Sequence, residues 1–245
     1  MKGLLYKDFI IFRKTLFILG IIVTSILLCC ITITHLRTAF GVPGEEETLG
    51  IVFTNCGLYL FAFLILPFIS SQLFTPDENP ACINFLFSTP KSAGGQIQSK
   101  YYFLLIVNLA ILLMCFLVDT GIMLMLGEYA TSCSLICMIF LCFSLILLAI
   151  RIPFAIRFGS NHSFEAQCVY MIILSAFLLI YGLFGDISFF FQEEGINIKA
   201  IRDYVQSEKV VFVLSLIPYI SLLIYYLSYR ISLALYRKGV EYYEQ

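Results

Sequence analysis

No tryptophan occurs in the 245 residues, histidine appears only twice, and charged residues make up only 13% of the chain. A water-facing domain carries about one-quarter charged residues, so this shortage excludes an ordinary soluble surface over most of the length. Fifteen Lys and Arg stand against sixteen Asp and Glu, with no basic block to neutralise phosphates, which excludes nucleic acid as an expected partner. Zinc hydrolysis also lacks its parts. H-E-x-x-H is absent, and His35 and His162 fall at opposite sides of the apolar segments, where they cannot share a site. The adjacent Glu193 and Glu194 have no histidine cluster beside them and read as a solvated loop. Gly94-Gly95 is followed by Gln96, so G-x-x-x-x-G-K-[ST] is missing and the chain has no cradle for ATP phosphates. No cofactor or catalytic residue is expected on this chain, and any ATP-driven work needs a second polypeptide.

Apolar residues dominate instead, at 60%. Charge-free runs long enough to cross roughly 30 Å of hydrocarbon place helical spans at 15–36, 50–73, 101–126, 131–152, 165–185 and 209–230. They must be helical, since lipid offers no partner for unpaired backbone. The first run, Thr15 to Leu36, exceeds the roughly 7–15 apolar residues of a signal-peptide core, so it is expected to stay as a span. The chain thus reads as one all-α, polytopic membrane domain over 1–245. Of nine cysteines, Cys29, Cys30, Cys56, Cys115, Cys137, Cys142 and Cys168 fall within apolar runs without C-x-x-C spacing, and read as small buried hydrophobes.

Lys2, Lys7, Arg13, Lys14, Lys91, Lys100, Arg151, Arg157, Arg230, Arg237 and Lys238 share one side of that arrangement, against Arg37, Lys199, Arg202 and Lys209 on the other. The positive-inside bias therefore puts both termini in the cytoplasm. Met1 to Lys14 interleaves apolar and charged residues, and is expected to lie on the inner surface as an amphipathic helix before turning into the bilayer, with the alternative that it merely begins a long first span. Outer connections are short, apart from about Asp186 to Glu208, where Phe189, Phe190 and Phe191 among charges suggest short interfacial helices. The inner connection from about Phe74 to Lys100 is longer than a tight turn and too small for a catalytic domain.

Few ionisable groups fall inside spans. Asp119, toward the outer end of the third span, reads as a group reaching the headgroups or pairing with a polar neighbour, or as part of a path with Asn55 and Asn108. Arg151 closes the fourth span and reads as an interfacial anchor. A carrier coupled to protons or sodium would bury more carboxylates near the midplane. Pro67 and Pro218 interrupt the second and sixth spans, and Gly57 and Ala62 offer close helix approach in the second.

The inner loop holds Asp77-Glu78-Asn79, then Phe85-Leu86-Phe87-Ser88-Thr89-Pro90-Lys91-Ser92, then Gln96-Ile97-Gln98-Ser99-Lys100-Tyr101. With Met1-Lys2-Gly3-Leu4-Leu5-Tyr6-Lys7-Asp8 and Pro153-Phe154-Ala155-Ile156-Arg157-Phe158-Gly159, it resembles the small ABC type-2 permeases. One departure is the Cys82-Ile83-Asn84 stretch, where relatives often carry tryptophan. The resemblance implies a permease that pairs with a second permease chain, identical or paralogous, and with two copies of a cytoplasmic ATPase that holds ATP and Mg. It further implies that Asp77, Glu78, Phe85, Leu86, Phe87, Pro90 and Lys91 form a coupling helix in a groove of that ATPase, with Arg157, Asn161, His162 and Glu165 as a smaller contact. Spans two and five would face the permease partner.

The function so implied is export across a bacterial cell membrane. Apolar spans with little fixed charge suit an amphipathic peptide, of the kind moved by phenol-soluble-modulin and bacteriocin exporters, with drugs or lipids as the alternative cargo. A non-transporting immunity or scaffold protein and a membrane enzyme are the rival classes. The presence of an ATPase partner separates them from an exporter.

Overall fold

The computed structural model describes residues 2–39, 45–74, 92–126, 134–184, 191–192, 195–196 and 208–243. Within these, six helices follow in order: α1 (Lys2–Ala39), α2 (Glu45–Ile69), α3 (Ser92–Leu126), α4 (Ser134–Phe158), α5 (Ser160–Phe184) and α6 (Glu208–Tyr243). A 3-10 turn, Ser70–Leu73, extends α2. By length and composition, four described segments are able to cross a membrane: Gly3–Leu36, Gly94–Leu124, Ser134–Phe158 and Leu214–Tyr236, with Thr54–Phe68 a shorter apolar helix. The expected helical class is therefore found in the membrane part. Outside it, the interfacial helices expected between Asp186 and Glu208 give way at 191–196 to a strand pair, β1 (Phe191–Gln192) antiparallel to β2 (Gly195–Ile196), with Phe191 opposite Ile196. Phe and Ile favour a pleated pairing over a helix.

α4 is the middle of the bundle. It packs on α6 most extensively, then on α5, α2 and α3, whereas α1 packs on α3 and α2. The amphipathic segment does not turn away from the first span. α1 is one unbroken helix of 38 residues, about 57 Å long at 1.5 Å per residue. A single buried row, Asp8, Phe12, Leu19, Val23, Leu27, Cys30 and Thr34, runs along it, and spacings of three, four and seven keep these positions on one face. A bend after Lys14 would pull Asp8 and Phe12 off α3, where Phe12 meets Phe103 edge-on at 5.7 Å between ring centres.

The two inner connections also differ from expectation. α3 starts at Ser92 rather than Tyr101, so the end of the first connection is helical. The second, expected between spans ending at 152 and starting at 165, contracts to one residue, because α4 continues through Pro153 to Phe158 and α5 begins at Ser160. Gly159 takes φ 87°, a left-handed conformation open to glycine, and its N–H donates to the Ala155 carbonyl at 3.0 Å, closing α4. Pro153 brings no N–H for the carbonyl four residues earlier, Ala149. The hydroxyl of Ser228 on α6 donates to that oxygen at 2.5 Å, which is why the helix survives its proline.

The cysteines behave as small side chains. Cys30, Cys115, Cys137 and Cys142 are buried, Cys56 and Cys168 are half-buried, Cys29 is exposed, and none of these seven is in a disulfide. Ala62 is fully buried. Gly57 is not at a close helix contact, for a Cβ added there would meet nothing within 4 Å.

Candidate functional site

Charged and polar side chains gather at the end of the bundle that holds the N-terminus. Here the starts of α1, α3 and α5 meet the ends of α2 and α4 and the second half of α6. The last carbonyls of α2 have no intrahelical donors, and two cations supply them. Arg151 of α4 donates through Nη1 to the Pro67 carbonyl and to Gln167 Oε1 of α5. Lys100 of α3 donates through Nζ to the Leu73 carbonyl at 2.8 Å and lies 4.3 Å from the centre of the Phe74 ring. Ser70 Oγ adds a bond of 2.7 Å to the Pro67 carbonyl. Cations at a helix C-terminus also match its partial negative charge. Arg151 and Lys100 are only 2% and 3% exposed, so Arg151 is a buried strut between three helices and not the interfacial anchor expected. Desolvating a guanidinium is costly, and carbonyl acceptors are what make it tolerable.

A second group continues this layer. Ser99 Oγ donates to Asp8 Oδ2 at 2.5 Å and to the Gln96 carbonyl at 2.8 Å, tying α1 to the start of α3. The Tyr101 hydroxyl lies 2.7 Å from Ser228 Oγ and 2.8 Å from Ser232 Oγ, and Tyr225 donates to the Tyr101 carbonyl at 2.8 Å. Leu73 and Lys100 bracket the first inner connection, so their bond fastens its two stems together. Beneath that fastening lies a cleft of about 80 Å³ lined by Phe74, Gln96, Ile97, Lys100, Ala155, Ile156 and Tyr236. Among the described residues no three His, Cys, Asp or Glu side chains group to hold a metal. What it does is tie elements together: α2 with its 3-10 turn to α3 through Lys100, and to α4 and α5 through Arg151.

Of the residues expected to couple to an ATPase, Asp77, Glu78, Phe85, Leu86, Phe87, Pro90 and Lys91 lie outside the described residues. Arg157 is exposed in the last turn of α4, over the Phe158 ring at 5.2 Å. His162 is on the first turn of α5, with Nδ1 3.0 Å from Glu165 Oε2, both side chains about two-thirds exposed at 68% and 70%. These two stand at the same end as the polar layer without joining it. Asn55, Asn108 and Asp119 are all buried. Asn108 donates to the Leu104 carbonyl at 3.4 Å and accepts from Ser144 Oγ at 2.9 Å. Asp119 is 4% exposed, packed among the helices.

Sequence reasoning missed the layer itself, though one signal for it was present. Ser221, Tyr225, Ser228 and Ser232 recur at spacings of four, three and four, which is one face of the last helix. A family model described as "ABC-2 family transporter protein" matches residues 3–237. No curated protein and no solved structure matches the chain.

Proposed function

Because the chain belongs to the ABC-2 transporter family, we propose that it is the membrane permease subunit of an ATP-driven exporter, with the polar layer as the joint between ATPase and spans. The observation that carries this reading is the Lys100 bond to the Leu73 carbonyl, which fastens both stems of the first inner connection to the bundle. A loop free at its base would dissipate movement in its own flexibility, whereas a fastened one passes it on. The orientation is the one the charge asymmetry favours: both termini, the polar layer and the loop of residues 75–91 face the cytoplasm, with six crossings.

In this mechanism two copies of a cytoplasmic ATPase, holding ATP and Mg, grip the segment containing Asp77, Glu78, Phe85, Leu86, Phe87, Pro90 and Lys91, while Arg157 and His162 form a second contact. Closure of the ATPase pair displaces the loop stems. The Lys100 and Arg151 bonds pass that displacement on as a joint shift of α2, α3 and α4. Such a shift requires that the nucleotide state favour one arrangement through unequal contacts, and the loop is where those contacts differ. A second permease chain completes the path, to which Asn55, Asn108 and Asp119 contribute the polar positions. The cargo is an amphipathic peptide, whose apolar face is stabilised by about 25 cal/mol per Å² removed from water. The setting is a bacterial cell membrane.

Three measurements test this in order. An ATPase subunit should co-purify in mild detergent, and isolation of the chain without one would remove the exporter reading. Changing Phe85 and Phe87 together to Ala should leave the chain inserted but weaken that association by about 2 kcal/mol or more, the usual share of buried aromatic anchors. In the reconstituted complex an amphipathic helical peptide should stimulate hydrolysis saturably, and a scrambled peptide of equal composition should not. Equal stimulation by both would reject the peptide cargo and leave the permease.

A further inference from the structure

An apolar groove of about 590 Å³ runs beside the contact between α1 and α3, with Phe9, Leu16, Gly20 and Thr24 on one wall and Ile106 and Ala110 on the other. The two helices lie parallel here, since Asp8 bonds Ser99 and Phe12 meets Phe103. Both walls are present from Phe103 to Met114, about 16 Å of helix at 1.5 Å per residue. That is about half of a roughly 30 Å hydrocarbon core, the depth of one leaflet. The width comes from two small side chains at nearly one level, Gly20 and Ala110. A Cβ added to Gly20 would meet nothing within 4 Å.

One charge stands level with the start of this two-walled stretch, next to Phe12 and its partner Phe103, while Leu5, Tyr6 and Phe9 carry the α1 wall on toward the N-terminus. Arg13 follows Phe9 by four residues and precedes Gly20 by seven, so it shares their helix face, and it is exposed. Asp8, the carboxylate on the same helix, is buried and bonded to Ser99. A cation where a two-walled apolar trough one leaflet deep begins is complementary to an amphiphile with an anionic head and a single tail reaching inward. A second copy of the chain fits less well. A two-fold contact through this face would bring two Arg13 side chains to the same seam at the same depth, where like charges are poorly screened.

We propose that the groove is a binding site for an anionic phospholipid of the cytoplasmic leaflet, one acyl chain lying between α1 and α3 and the phosphate held at Arg13. The site requires that α1 and α3 cross the bilayer. It does not require a peptide cargo or an ATPase, so its failure and theirs are separable.

The full chain, purified in detergent, is mixed with phosphatidylglycerol or phosphatidylcholine of identical acyl chains, and lipid retention is read by native mass spectrometry. The wild type should retain phosphatidylglycerol about five-fold better, the effect of one cation near a phosphate. Arg13→Gln, on an exposed position, should bind both lipids alike. Gly20→Leu with Ala110→Leu should fill the groove and lower retention of both lipids by roughly an order of magnitude, with the melting temperature measured to show that the bundle stays intact. Equal retention of the two lipids by the wild type would overturn the proposal, as would a preference that persists in Arg13→Gln or retention undiminished in the filled groove. Disulfide linkage of two Gly20→Cys chains in native membranes would assign the groove to a second copy instead.

Discussion

Along α6, serine and tyrosine hydroxyls reach across to Tyr101 of α3 and to the Ala149 carbonyl of α4, while α1 beyond Asp8 meets α3 through apolar side chains and leaves a groove at its flank. Apolar contact gains little over lipid, whose tails are as apolar as Leu. The seam of α6 with α3 and α4 therefore has a register fixed by directional bonds that have no substitute in hydrocarbon, whereas the α1–α3 seam is held by shape, with one polar tie at Asp8 and Ser99. With Gly159 as the only residue between α4 and α5, α3, α4, α5 and α6 form the block expected to move together. α1 is then the helix free to change its packing against that block.

The strongest way to break this contrast is at Arg151. Arg151→Met leaves Gln167 Oε1 without its buried donor and the Pro67 carbonyl with Ser70 alone, and should cost about 3 kcal/mol, read as loss of folded protein in a detergent thermal-shift assay. Next comes Ser228→Leu. With Ser228 Oγ 2.5 Å from the Ala149 carbonyl, a branched side chain must wedge α6 from α4 at about 2 kcal/mol, whereas Gly20→Leu in the open seam should leave the melting temperature unchanged. Lys100→Met should destabilise by about 1.5 kcal/mol through loss of a charged donor. Its sharper readout is turnover: ATPase association should persist while peptide-stimulated hydrolysis falls several-fold, because the loop stems are no longer fastened. Smallest is Ser232→Ala, about 0.5 kcal/mol by the same assay, since the Tyr101 hydroxyl keeps Ser228. A loss at Ser232 as large as that at Ser228 would mean that the seam is a single cooperative network and not a set of separate ties.

The helices were legible because lipid allows only one backbone solution, so scarcity of charge translates almost directly into segment positions. Boundaries were less so, and for identifiable reasons. The fourth span was expected to end at residue 152, yet α4 runs on through Pro153, and the hydroxyl that replaces the missing backbone donor sits on Ser228, 75 positions later in the chain. Charge near the ends of spans was equally ambiguous. Lys100 and Arg151 occupy the positions where snorkelling anchors are found, and only the location of the Leu73 and Pro67 carbonyls decides that both turn inward. Asp8 was read as part of a surface helix because its partner, Ser99, lies 91 residues away. In each case the deciding contact is long-range, and a pattern confined to one segment carries no trace of it.

The bond from Ser228 to the Ala149 carbonyl also bears on how the chain is made. During synthesis α4 enters the bilayer well before Ser228 leaves the ribosome, and for that interval the carbonyl opposite Pro153 lacks the donor that it has in the finished bundle. The last helix to be translated thus completes the middle one. A polypeptide stopped after Phe184 should be inserted but short-lived, recognised by membrane quality control through an incompletely bonded centre, and a separately expressed α6 should lengthen its half-life only if it carries Ser228.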